Sequence, residues 1–113
     1  KLAFELRNSH DFDPTSGFSQ NLASNPDAFV GFYSNYGYYF KIGILDGVLR
    51  INKGDTWISL TSPNYEVYDL TFRNLSDEKT KSVSWVIKMR YKNPSGDPNL
   101  NYESQSIGGA NLR

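Results

Sequence analysis

The sequence predicts an α+β fold: an N-terminal helix packed on an antiparallel β-sheet, with extra short hairpins. Three observations lead there. The first residues are good helix formers with Leu2, Ala3 and Leu6 on one face. From Ala28 onward, short apolar runs alternate with turns rich in Gly, Pro, Asn and Asp. Within residues 83–91, Val83, Trp85, Ile87, Met89 and Tyr91 fall on one parity and Ser84, Lys88 and Arg90 on the other, with Val86 the exception. Side chains alternate across a strand, so this pattern sets an apolar row against a core and a basic row toward water.

Residues 1–12 read as the end of a helix that stops before Pro14, because proline restricts the residue preceding it. No capping residue precedes Leu2, so the helix reads as the tail of a longer one. Residues 13–27 are rich in Ser, Asn, Gly and Pro and form an irregular loop, with Phe18 and Leu22 as its apolar pins. Residues 28–113 then run as antiparallel strands. The first covers 28–33. Asp46-Gly47 between the runs 38–45 and 48–52 is the strongest hairpin signal, since both central residues of a type I′ turn take positive φ. Strands at 57–60 and 65–72 follow, the latter with Tyr68, Leu70 and Phe72 on one face and Tyr65 and Val67 on the other. A polar loop, 74–81, leads into 83–91. After a second turn region, 93–101, the tail 102–112 is extended, with Ile107 and Leu112 facing inward and a kink at Gly108-Gly109.

A chain of 113 residues suits one domain, residues 1–113, with a single core. Aromatics at 15% against 38% hydrophobics mean that large rings supply much of that core. Twelve basic and twelve acidic residues cancel, so no global field draws nucleic acid or an anionic membrane. Cysteine is absent, which excludes disulfides and thiolate metal sites.

The layout resembles the minor pilins and pseudopilins of type IV pilus and type II secretion-like machines. The residues carrying it are Leu2-Ala3-Phe4-Glu5-Leu6-Arg7, then Tyr38-Tyr39-Phe40, Asp46-Gly47-Val48-Leu49-Arg50, Trp57-Ile58-Ser59-Leu60-Thr61-Ser62-Pro63-Asn64, Val67-Tyr68-Asp69-Leu70-Thr71-Phe72, the alternating strand and the extended end. The resemblance implies a pilin-like soluble domain whose helix continues upstream into an apolar, processed half that anchors the protein in the inner membrane before assembly. It implies a structural, non-enzymatic role at the cell surface or in the periplasm, with other pilin or pseudopilin subunits as partners. Phe4, Glu5 and Asn8 would form the assembly face of the helix, and Leu2, Ala3 and Leu6 would pack on Trp85, Ile87 and Met89.

Other residue patterns are weaker. Asp97, Asn99 and Asn101 copy the first oxygen-ligand spacing of a calcium loop, but Tyr102 and Gly108 stand where its turn Gly and closing carboxylate belong. The expectation is therefore no cofactor, and Asx turn chemistry explains those residues. Lys88, Arg90 and Lys92 make a basic row that a polyanion such as DNA would fit, though a solvated sheet face needs no partner. His10 near Asp11 and Asp13 reads as a helix-end histidine favoured by the dipole, and no catalytic set is visible. Tyr33, Tyr36, Tyr38 and Tyr39 surround one turn and could, with Trp57, make a stacking platform for sugar rings or for bases. Parity divides them, Tyr36 and Tyr38 from Tyr33 and Tyr39. That platform is the basis of the alternative expectation, an extracellular carbohydrate-binding β-sandwich module.

Overall fold

Eight strands and one short helix make up the computed structural model, which describes residues 2–25, 27–54, 56–92 and 102–113. The helix α1 covers Leu2–Arg7. The strands are β1 (Ser9–Phe12), β2 (Val30–Ser34), β3 (Tyr39–Leu45), β4 (Val48–Asn52), β5 (Trp57–Ser59), β6 (Tyr65–Asn74), β7 (Lys81–Tyr91) and β8 (Glu103–Leu112). They form a five-stranded sheet in the order β1-β2-β3-β4-β5 and a three-stranded sheet in the order β6-β7-β8. All pairings are antiparallel. The α+β expectation of a helix laid on a sheet is thus corrected: the architecture is two sheets packed face to face, and their inner faces share one core.

Four rings trace the packing across that core. Phe40 stacks on Phe32 at 5.5 Å within the first sheet, Phe32 meets Phe72 of the second at 6.1 Å, and Phe72 meets Trp85 at 6.2 Å. Ile42, Ile51, Val67, Leu70 and Val83 fill the space around them. Phe32, Phe40 and Phe72 have no exposed surface, so part of the aromatic-rich composition builds the core while Phe4, Tyr33, Tyr36, Trp57 and Tyr102 are exposed.

The helix ends sooner than its composition predicts. Asn8 bonds back to the Phe4 carbonyl through its amide side chain, and the Ser9 hydroxyl bonds to the Glu5 carbonyl, so the last turn is closed by polar side chains that compete with the helical ladder. Ser9–Phe12 then turns into β1, paired with β2 in the register Ser9↔Ser34 and Phe12↔Phe32, with a bulge between Ser9 and Asp11. Arg113 N donates to the Ser9 carbonyl, joining the end of β8 to β1 and so linking the two sheets. The Glu5 carboxylate is buried and accepts from Lys53 Nζ and from the Tyr38 hydroxyl, which ties α1 to the end of β4.

The hairpin at Asp46-Gly47 forms as expected, with φ of 52° and 75° and Leu45 directly opposite Val48. Three details of the second sheet differ from what the sequence predicts. A bulge between Val67 and Asp69 shifts the parity of β6, so Val67 joins Leu70 and Phe72 in the core while Tyr68 turns outward under the Arg90 guanidinium. β8 keeps an unbroken register through Gly108-Gly109, and there is no kink. Gly108 instead makes room for the Trp85 indole, since a Cβ there would lie 2.3 Å from a ring carbon. Leu112 is buried as expected, whereas Ile107 lies on the outer face and is 69% exposed.

The loop between β1 and β2 is not free of the core. Leu22 is completely buried, and Asn21 bridges to Thr71, with its side chain bonded to the Tyr68 carbonyl and the Leu70 amide.

Candidate functional site

The outer face of the five-stranded sheet is assembled by register. Gly31 lies opposite Lys41, Tyr33 opposite Tyr39, Lys41 opposite Asn52, Gly43 opposite Arg50, and Asn52 opposite Trp57. These residues therefore share the face that the core residues Phe32, Phe40, Ile42 and Ile51 turn away from. The two-residue hairpin after β3 sets Gly43 against Arg50. The short return of β5 then brings Trp57 alongside.

At one end, the rings of Tyr33 and Tyr39 meet at 5.1 Å, with His10 a further 6.4 Å from Tyr33. Tyr39 crosses Gly31, where a Cβ would stand 2.3 Å from its hydroxyl, and donates to Asp13 Oδ2 at 2.6 Å. The Tyr39 hydroxyl, together with the backbone and side chain of Thr15, holds the Asp13 carboxyl below its ordinary 3.8. Burial, and then the carboxylate itself, push the Tyr39 phenol far above its usual value. A depressed carboxyl contributes stability that is present above 3.8 and is lost as pH falls through the lower folded value. Urea midpoints followed from neutral pH down to about pH 2 should therefore fall less steeply on the acid side in Tyr39→Phe than in the wild type. An unchanged acid limb would mean that this hydrogen bond carries none of the pH dependence.

At the other end lies a hollow of about 360 Å³, lined by Asp27, Phe29, Lys41, Gly43, Arg50 and Trp57 among others. That is within the range of small-ligand sites. Gly43 forms part of its wall, and a Cβ there would meet the Trp57 ring only at 3.9 Å, an ordinary contact. Trp57 is 46% exposed. Lys41 Nζ sits 4.4 Å from the centre of the Phe29 ring. Arg50 Nε and Asn52 Oδ1 are buried atoms without a hydrogen-bond partner. Leaving such atoms unsatisfied costs about 1–3 kcal/mol each, and folded proteins seldom do so without a reason. None of the ion pairs among the described residues includes Lys41 or Arg50.

Apart from Trp57 and the tyrosines, the residues singled out by sequence fall elsewhere. Of the proposed assembly face, Phe4 is exposed, Glu5 is buried against Lys53 and Tyr38, and Asn8 is engaged in ending the helix. Leu2, Leu6 and Trp85 are buried in the common core, with Ala3, Ile87 and Met89 partly buried against it. Lys88 and Arg90 lie on the outer face of β7, but Arg90 pairs with Glu66 at 2.7 Å and Lys88 with Asp69 at 3.9 Å, so acidic side chains of β6 offset that row. Lys92, just past β7, is exposed. Asp97, Asn99 and Asn101 lie outside the described residues. His10 stands on a strand rather than at a helix end.

Parity separated the tyrosines correctly: Tyr33 and Tyr39 share the outer face, while Tyr38 reaches Glu5 and Tyr36 bonds to Asn8. Sequence reasoning missed Lys41, Arg50 and Asn52. A signal was present in Lys41-Ile42-Gly43-Ile44 and Leu49-Arg50-Ile51-Asn52, where polar residues alternate with apolar ones on both arms of a securely predicted hairpin.

Fold and site together define a class in architectural terms only, an antiparallel two-sheet β-sandwich with a polar and aromatic hollow on one outer face. The chain matches no family model, no curated protein and no solved structure.

Proposed function

We propose that the chain is a carbohydrate-binding module that holds sugar rings against the outer face of its five-stranded sheet. The observation that carries this reading is the conjunction, on one face, of the exposed Trp57 indole with two buried polar atoms that lack partners, Arg50 Nε and Asn52 Oδ1. A sugar ring has a matching character. Its C–H face packs on an indole, and its hydroxyl rim both donates and accepts hydrogen bonds. A single-stranded nucleic acid would ask for a continuous basic groove. On the other sheet, the cations Lys88 and Arg90 are matched by Asp69 and Glu66. The filament-subunit expectation put Glu5 on the free assembly face of the helix, whereas Glu5 is turned inward against Lys53 and Tyr38.

Fluorescence offers a direct test, because Trp57 is exposed and Trp85 is buried. Titration across a panel of oligosaccharides should quench or shift the exposed emission for at least one of them, and Trp57→Ala should weaken that binding about tenfold or more while leaving the fold intact. Gly43→Val offers a second route. It fills the hollow without changing charge, at a strand position where a Cβ has room, and should abolish the response. A panel that leaves Trp57 emission unchanged would refute the proposal.

A further inference from the structure

Taking the hollow as a sugar site, we infer that its preferred ligand is an acidic saccharide whose carboxylate is received by Arg50 with Lys41 beside it. The inference rests on that carbohydrate reading and adds the chemical class of the ligand.

A neutral sugar would use the indole and the hydroxyl-bonding groups but would leave the cations of the hollow uncompensated. Among the described residues, Lys41 and Arg50 line it against a single carboxylate, Asp27, which is exposed. Among the described cations that make no ion pair, Lys41 and Arg50 are the half-buried ones, since Arg7, Arg73, Lys79, Lys92 and Arg113 are exposed to water. Lys53, Lys81, Lys88 and Arg90 each have an acidic partner, while Lys41 is turned over the Phe29 ring and Arg50 holds a buried Nε without a partner. A guanidinium is a planar fork that matches a carboxylate with two parallel hydrogen bonds, and Nε is one of the donors it can use. Asn52 Oδ1, opposite both Lys41 and Trp57 in the register, is an acceptor and therefore suits a ring hydroxyl rather than the acid group. The two orphaned atoms thus ask for different parts of one molecule: an anionic group at Arg50 in the hollow and a hydroxyl at Asn52, which lies outside the lining but opposite Lys41 and Trp57, with Trp57 offering its ring face between them. A uronic acid residue carries all three on one ring.

The arrangement also explains why a glycine stands at position 43. The strand has no positive φ there, and a Cβ would fit, so the backbone does not require it. A side chain would instead fill the space directly opposite Arg50.

The test compares an oligouronate with the same chain after methyl esterification of its carboxylates, read by Trp57 fluorescence and by calorimetry. The free acid should bind about tenfold or more tightly than the ester. Its advantage should shrink as salt is raised. Arg50→Gln should bring acid and ester to the same affinity, and Arg50→Lys, which keeps the charge and loses the fork, should restore part of the difference. Circular dichroism and thermal midpoint verify that each variant is folded. Equal binding of acid and ester by the wild type, with Trp57 responding, would overturn the acidic preference and leave the sugar site standing. Tighter binding of a sulfated oligosaccharide than of the uronate would overturn the carboxylate assignment. Absence of any Trp57 response to uronates, esters and the neutral panel alike would bring down the sugar reading and this inference with it.

Discussion

Trp85→Ala should lower stability by about 3–5 kcal/mol, a large share of the 5–15 kcal/mol typical of a domain. The indole is 5% exposed, packs on Phe72 at 6.2 Å and reaches over Gly108, whose missing side chain leaves the space it fills. Truncation removes the ring from the end of the aromatic chain and opens a cavity that Gly108 cannot close. Measured by urea or thermal unfolding, the midpoint should fall by roughly 10 °C or more. Trp57→Ala supplies the contrast, since that ring is half-exposed at the sheet edge and should change stability far less. A near-neutral Trp85→Ala would mean that the inner face of β7 does not face the core.

Phe72→Ala should be comparably severe, at about 3–5 kcal/mol, and its coupling to Phe32 tests the sandwich itself. Both rings are fully buried, and their 6.1 Å contact joins one sheet to the other. A double-mutant cycle with Phe32→Ala should return a coupling of about 0.5–1.5 kcal/mol, because tilted aromatic pairs gain that much beyond their buried area. Additive effects would separate the two rings.

Much of the local structure was legible because it is written in nearest-neighbour terms. Strand positions, the Asp46-Gly47 turn and the inward row of Val83, Trp85, Ile87 and Met89 follow from alternation and turn chemistry. Two errors share a cause, which is that partners distant in sequence override a local preference. Ser9–Phe12 has helix formers before it but becomes a strand because β2 offers it a ladder on one side and the last residue of the chain bonds to it on the other. Val67 and Tyr68 exchange faces because a bulge against β7 inserts one residue into the count. The candidate site was half legible for the same reason. Trp57 and the tyrosines stood out as rings, but the significance of Lys41, Arg50 and Asn52 lies in what they fail to touch.

By itself, then, the sequence determined a small, aromatic-cored domain of antiparallel strands with a secure central hairpin, since periodicity and turn residues act over a few positions. Only the tertiary structure decided that the strands make two facing sheets, that the helix is a short peg held by Glu5, Lys53 and Tyr38, and that Arg50 and Asn52 keep unpartnered atoms beside an exposed indole. The physical reason is that sheet pairing, burial and hydrogen-bond satisfaction depend on which segments meet, and residues such as Glu5 and Lys53, or Phe32 and Phe72, become neighbours only when segments distant in sequence come together.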